Sequence, residues 1–209
     1  MRQITKTSPP QAFVDFCQTP DVIFRDLSGA PKRALRKRLL EDQGYICCYC
    51  GRRIEDNGDT KIEHILCQQN HGDLQLDFSN MLASCDGGQN DRTHPTRGTP
   101  RHEPHCDAKK GNDELPISPL DNVEGILTYH IDGTVKGQGK VGRELIRILG
   151  LDAKFLNSQR KNAIESYNLL APKDLEAELI ALRTKKNGKF EEFCFVLEQH
   201  IKDLMNGGE

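Results

Sequence analysis

The residues best equipped for chemistry lie between positions 47 and 111. Cys47 and Cys50 sit in Cys47-Cys48-Tyr49-Cys50, a spacing that lets both sulfurs reach one tetrahedral zinc at about 2.3 Å. A closed structural site needs two more ligands. Cys85 and Cys106 supply a stretched second pair with a long polar insert between its halves, and His102 or His105 could replace one of the cysteines as the fourth ligand. Next comes Lys61-Ile62-Glu63-His64-Ile65. Neighbouring side chains on a strand point to opposite faces, but the twist at a strand end can turn both toward one cleft. Asn80 follows at the start of a further apolar stretch, and Cys106-Asp107-Ala108-Lys109-Lys110-Gly111 opens a helical turn.

Composition narrows the setting for these groups. The chain has 209 residues, with 29 Lys and Arg against 31 Asp and Glu, so its net charge is −2. Such a balance gives no whole-molecule basic field, and a polyanion would have to be met by a local patch. No apolar run approaches the roughly 18 residues that cross a bilayer. Met1-Arg2-Gln3-Ile4-Thr5-Lys6 lacks the apolar centre of an export signal, so a cytoplasmic protein is expected. Thiols stay reduced there, and the clustered members of the 8 cysteines read as metal ligands before disulfides. Cys17 and Cys194 lie alone in amphipathic segments, as small core residues do.

The elements that must position the site read as an α+β protein in three parts. Residues 1–30 form an extended arm with a short helix near 11–17. Residues 31–116 hold the candidate core. Residues 117–209 hold a hairpin and helices that pack and dock a partner. A helix is predicted from Pro31 to Gln43, stopped by Gly44, with Leu35, Leu39 and Leu40 as its apolar stripe. A strand ends near Ile65-Leu66, a second covers 80–84, and a short helical turn begins near Asp107. Asp132-Gly133 suits a two-residue type I′ hairpin turn between strands 126–131 and 134–136. Helices are then predicted near 141–149, 152–170, 172–186 and 189–206. Asp152 caps the second of these and Pro172 opens the third. Ile164, Tyr167 and Leu170 stripe the second, Leu175, Leu179 and Leu182 the third, and Phe190, Phe193, Val196, Leu197, Ile201 and Leu204 the last.

The order Cys-x-x-Cys, acidic-His, Asn-hydrophobic-hydrophobic-x-x-Cys, Cys-x-x-x-Lys-Gly resembles the signature of zinc-containing HNH nucleases, whose fold is a ββα-metal unit. A basic helix directly before the cysteine knuckle, Ile117-Ser118-Pro119-Leu120, the Asp132-Gly133 hairpin and Ile148-Leu149-Gly150-Leu151 extend the likeness over roughly residues 5–170. That larger arrangement resembles the PtuB-like HNH subunits of Septu and retron-linked anti-phage systems. The resemblance implies a metal-dependent endonuclease that leaves 3′-hydroxyl and 5′-phosphate ends. It also implies a PtuA-type ABC ATPase acting in trans, and retron RNA or DNA as a further partner.

The resemblance also implies roles that physical need supports. His64, with an ordinary pKa of about 6.5, is the base that activates water at neutral pH. Asn80 would bond the second imidazole nitrogen or the neighbouring backbone and so fix the tautomer. Glu63 and Asp107 offer hard oxygen donors to one Mg²⁺ or Mn²⁺. Lys110 would meet a phosphate beside backbone N–H groups. Many family members carry Asp before the histidine and Asn or His at the place of Asp107; this chain's residues keep oxygen donors at both.

Two further segments bear on substrate. Lys32, Arg33, Arg36, Lys37 and Arg38 put 5 cations into 7 residues. At a helix N-terminus they oppose the macrodipole, so a phosphate backbone would compensate them, unless the face is simply solvated. The insert at 86–105, with His94, His102, His105, Arg92, Arg97 and Arg101, could contact nucleic acid or a partner, or serve as a solvated connector. Gly137-Gln138-Gly139-Lys140-Val141-Gly142 lacks the spacing of a phosphate loop, so its glycines end a strand and begin a helix. Two rival functions fit parts of the pattern: a zinc-ribbon module that binds nucleic acid or protein without chemistry, and a toxin-like RNase on the same fold.

Overall fold

The computed structural model of the chain describes residues 1–90, 103–169 and 174–207. Its helices are α1 (Gln11–Cys17), α2 (Gly29–Gln43), α3 (Asp107–Lys110), α4 (Gly139–Leu149), α5 (Lys154–Leu169), α6 (Leu175–Arg183) and α7 (Cys194–Met205). Its strands are β1 (Lys61–His64), β2 (Met81–Ser84), β3 (Leu127–Tyr129) and β4 (Val135–Gly137). They form two antiparallel pairs, β1 with β2 and β3 with β4. The Arg92, His94, Arg97, Arg101 and His102 part of the insert, along with Leu170 and Pro172, lies outside the described residues.

Helix α2 begins two residues before Pro31, because the extended Ser28 already serves as its cap. Pro31 is tolerated there, since a first-turn N–H has no partner in the helix anyway. Gly44 ends the helix in the left-handed region at φ 62°. A Cβ on Gly44 would stand 2.3 Å from the Phe190 ring, so only glycine fits the close approach of the C-terminal segment. Leu35, Leu39 and Leu40 are all buried, as the stripe requires.

In the first pair, Glu63 lies opposite Leu82 and His64 opposite Met81. Every residue of β2 is buried. Asn80 is not part of that strand; it closes a tight 3₁₀ turn, Phe78–Asn80, in which the Asp77 carboxylate accepts from the Ser79 N–H.

The second hairpin departs from the type I′ expectation. Its loop runs from His130 to Thr134, with His130 N–H donating to the Thr134 carbonyl and Gly133 N–H to that of His130. Of Asp132 and Gly133 only Gly133 has positive φ, at 80°. That is the pattern of a three-residue loop with glycine in the left-handed position. Asp132 instead accepts from the Thr134 N–H at 2.9 Å.

Three caps and boundaries also differ. Asp152 does not cap α5; the Glu103 carboxylate, from far away in sequence, accepts from the Lys154 N–H at 3.1 Å. Asp174 caps α6 through the Ala177 N–H. Phe193 adopts φ 55°, so α7 starts only at Cys194 and Phe190 and Phe193 precede it. Leu204 stays 39% exposed, off the buried face. Cys17 is half-buried, whereas Cys194 is fully enclosed.

One buried cluster extends from Met1 to Ile201. The arm joins it through a backbone bond from Ile4 N–H to the Pro119 carbonyl, 2.9 Å. The glycines at 137 and 142 allow backbone-to-backbone packing where β4 enters α4: a Cβ on Gly137 would lie 2.2 Å from the Gly142 carbonyl carbon. Among the described residues no helix is long and apolar enough to cross a membrane.

Candidate active site

Four sulfurs converge first. The Sγ atoms of Cys47, Cys50, Cys85 and Cys106 all lie within 4.8 Å of one another and are buried. Cys47 and Cys106 are 3.9 Å apart, as are Cys50 and Cys85. A tetrahedron with metal–sulfur bonds of ~2.3 Å has edges of about 3.8 Å, so this donor set fits zinc. The thiols of Cys106, Cys48, Cys50 and Cys85 around it hold the Cys47 thiol well below its usual range, although burial opposes this. His105 is not in the cluster; its Nδ1–H donates to the Glu103 carbonyl at 3.0 Å.

The cluster pins three elements together. Cys47 and Cys50 belong to the turn after α2, Cys85 follows β2 directly, and Cys106 precedes α3. Cys106 holds φ 51°, a strained setting for a side-chain-bearing residue, and its N–H is anchored on the Leu149 carbonyl at the end of α4. Gln43 completes the joint. Its amide N–H groups donate to the Ile46 and Ala83 carbonyls, and its oxygen accepts from the Ala83 N–H at 2.7 Å.

On the other face of this joint, Glu63 and His64 meet α3. The Lys110 ammonium lies 3.0 Å from Glu63 and donates to the His64 carbonyl at 2.9 Å. Tyr49, inside the knuckle, donates its hydroxyl to the same Glu63 oxygen at 2.8 Å. The Asp107 carboxyl neighbours Glu63 and acts on its protonation. Burial and that second carboxyl push Glu63 up to about 8, with Lys110 pulling the other way. Two carboxyls forced together are the donor chemistry that a hard divalent cation would separate. Glu63 and Asp107 therefore fit one Mg²⁺ or Mn²⁺, and the His64 imidazole does not join them as a third ligand.

His64 is buried among contacts from elsewhere. Nε2–H donates to the Gln75 carbonyl at 3.0 Å, which leaves Nδ1 unprotonated and accepting from the Gln68 amide at 3.1 Å. The Phe24 ring meets the imidazole edge-on, 4.5 Å between centroids, and the Phe24 N–H donates to the Gln75 side chain. Burial lowers the His64 pKa from its usual value, and Lys110 adds to this while Gln75 and Asp107 oppose it. The ring is thus a neutral imidazole of fixed tautomer.

Asn80 acts on the backbone rather than on the imidazole. Its oxygen accepts from the Leu66 N–H at 2.8 Å, and its amide donates to the Leu66 and Leu74 carbonyls. It thereby holds the turn that delivers both Gln68 and Gln75 to His64.

The basic residues divide. The Lys110 side chain is 1% exposed and turned inward, so it is not available as the surface phosphate contact that was expected of it. Arg36 pairs with Asp56 at 2.6 Å, and Lys37 lies 3.9 Å from Glu41. Lys32 and Arg33 are exposed and have no acid in ion-pair range among the described residues; Lys32 stands 5.8 Å above the Phe24 ring.

Tyr49, Gln43, Gln68, Gln75 and Phe24 were not singled out from sequence. Only Tyr49 carried a cue, an aromatic hydroxyl locked between two metal-ligand cysteines.

No family model matches the chain. It is similar to a candidate HNH endonuclease of retron Ec83 from Escherichia coli, with 31% identity over 210 aligned positions covering 80% of this chain and 81% of that protein.

Proposed function

The chain belongs to the HNH endonuclease family, and on that premise we propose that it hydrolyses nucleic-acid phosphodiester bonds in a metal-dependent reaction. The observation that carries the reading is the neutral imidazole of His64, with its lone pair on Nδ1, at the strand end that also presents Glu63 to Asp107.

In this reading His64 Nδ1 receives the proton of the attacking water once the Gln68 amide has moved aside. The Gln75 carbonyl keeps the opposite nitrogen protonated and steadies the imidazolium that forms, as a partner on the far side of a catalytic histidine does. Glu63 and Asp107 would hold the divalent ion, which when bound would supply Lewis-acid polarisation of the phosphate. Lys110 orients Glu63 from the protein side and favours its ionised form against burial and Asp107. Lys32, over the Phe24 ring that meets His64, and its exposed neighbour Arg33 are the cations proposed to meet a phosphate backbone.

The relative's name supports a role beside a retron, with retron RNA or DNA among the partners. A PtuA-like ABC ATPase that gates cleavage belongs to the same proposal, as do an anti-phage role and a cytoplasmic setting. The test is cleavage of labelled DNA and RNA with Mg²⁺ or Mn²⁺, with the ATPase absent and present. Products with 3′-hydroxyl and 5′-phosphate ends are expected. A binding module without catalysis is favoured by one observation, the occupation of Glu63 Oε1 by both Tyr49 and Lys110. Absence of any cut on either nucleic acid, with and without the ATPase, would select it.

A further inference from the structure

The knuckle that holds zinc also carries a group into the hydrolytic site. Tyr49 lies between the ligands Cys47 and Cys50, its ring is fully buried, and its hydroxyl donates to Glu63 Oε1 at 2.8 Å. The knuckle is rigid on every side. Cys47 N–H bonds the Arg52 carbonyl, Gly51 N–H that of Cys47, and Cys48 N–H that of Ala83 on β2. A Cβ on Gly51 would be 2.6 Å from the Phe195 ring, so the turn is also closed from the C-terminal side. A phenol has two soft torsions, and here both are fixed by packing. Its hydroxyl therefore meets the carboxylate without a further ordering cost.

We propose that Tyr49 is a positioning residue for the divalent cation: it orients Glu63 and, through the flanking thiolates, makes the geometry of the cation site depend on the zinc site. The proposal rests on the reading of Glu63 and Asp107 as the cation's ligands. The physical reason is that a ligating carboxylate uses one lone pair on the ion and needs a donor for another. Loss of such an outer partner typically weakens metal affinity or activity about 10–100-fold. The Lys110 ammonium, shared between Glu63 Oε1 and the His64 carbonyl, meets the same oxygen, and the hydroxyl adds a second donor of fixed direction to it.

The test uses the zinc-loaded full chain and Mn²⁺ itself as probe, titrated by electron paramagnetic resonance. Tyr49→Phe should retain its zinc and raise the Mn²⁺ dissociation constant about 10-fold. Tyr129→Phe removes another buried hydroxyl, one that accepts from the Met1 amine and makes no bond to Glu63; it should lower Tm without moving Mn²⁺ affinity. Equal affinity in wild type and Tyr49→Phe overturns the proposal, as does a wild-type chain that binds no Mn²⁺. A wild type that binds Mn²⁺ but cuts nothing refutes the nuclease reading alone, since the affinity comparison stands without cleavage. Should Tyr49→Phe lose zinc, the unmodified chain labelled at tyrosine Cζ decides. The Tyr49 resonance should move along the Mg²⁺ binding isotherm, and a resonance indifferent to saturating Mg²⁺ overturns the proposal.

Discussion

His64 and Glu63 are adjacent in sequence and their pKa values move in opposite directions, each toward the neutral form. Burial lowers the imidazole pKa, so the neutral base persists below its ordinary value of about 6.5. The kcat/KM profile at saturating Mg²⁺ is therefore expected to stay level through pH 6.5 and to fall only at lower pH. For Glu63 the sign runs the other way for stability. Its carboxyl is held up to about 8 against 4.5 in the open chain, so the folded state binds the extra proton between those values. Stability in the absence of divalent ions should then decline as pH rises from 4.5 toward 8, and Glu63→Gln should remove that part of the slope. Urea midpoints at stepped pH measure it. The pair itself was legible because an acidic residue before a histidine, between cysteine pairs, has few other uses. Its partners Tyr49, Gln68 and Gln75 were not, since a glutamine contributes here through whichever atom the turn presents, including a backbone carbonyl.

At the scale of elements, the site depends on a short strand pair and a four-residue helix that could not stand alone. The four-cysteine cluster, which fits zinc, is what joins them as one unit. Chelation should loosen β2, the knuckle and α3 together, read as loss of amide protection across all three at once. The turn between β1 and β2 has its own tie in Asn80. Asn80→Ala removes bonds to Leu66 and Leu74 and should cost about 1–3 kcal/mol, with activity falling more than folded content. Strands, knuckle and helical turn were readable from apolar runs and glycine stops. The hairpin loop and the cap of α5 were misjudged because local sequence cannot show that Thr134 would engage Asp132, or that Glu103 would arrive from outside to meet Lys154.

Over the whole molecule, the C-terminal segment is part of the core. Phe190 N–H bonds the Gly44 carbonyl and Phe193 N–H that of Gly51, so the segment before α7 is laid against both ends of the cysteine turn. Arg53 reciprocates by donating to the Phe190 carbonyl, and its own N–H is held by Glu192. A chain ended before residue 187 should therefore release zinc and unfold at lower urea, not merely lose a partner. Such clasping was invisible in the sequence, where the segment shows amphipathic helices and nothing of what they face.

Cleavage by His64→Ala, measured beside wild type at matched zinc content in Mn²⁺, bears most directly on the central claim. The account expects the variant to keep its fold and its zinc and to lose cleavage. Wild-type turnover in that variant would mean that the imidazole is not the base.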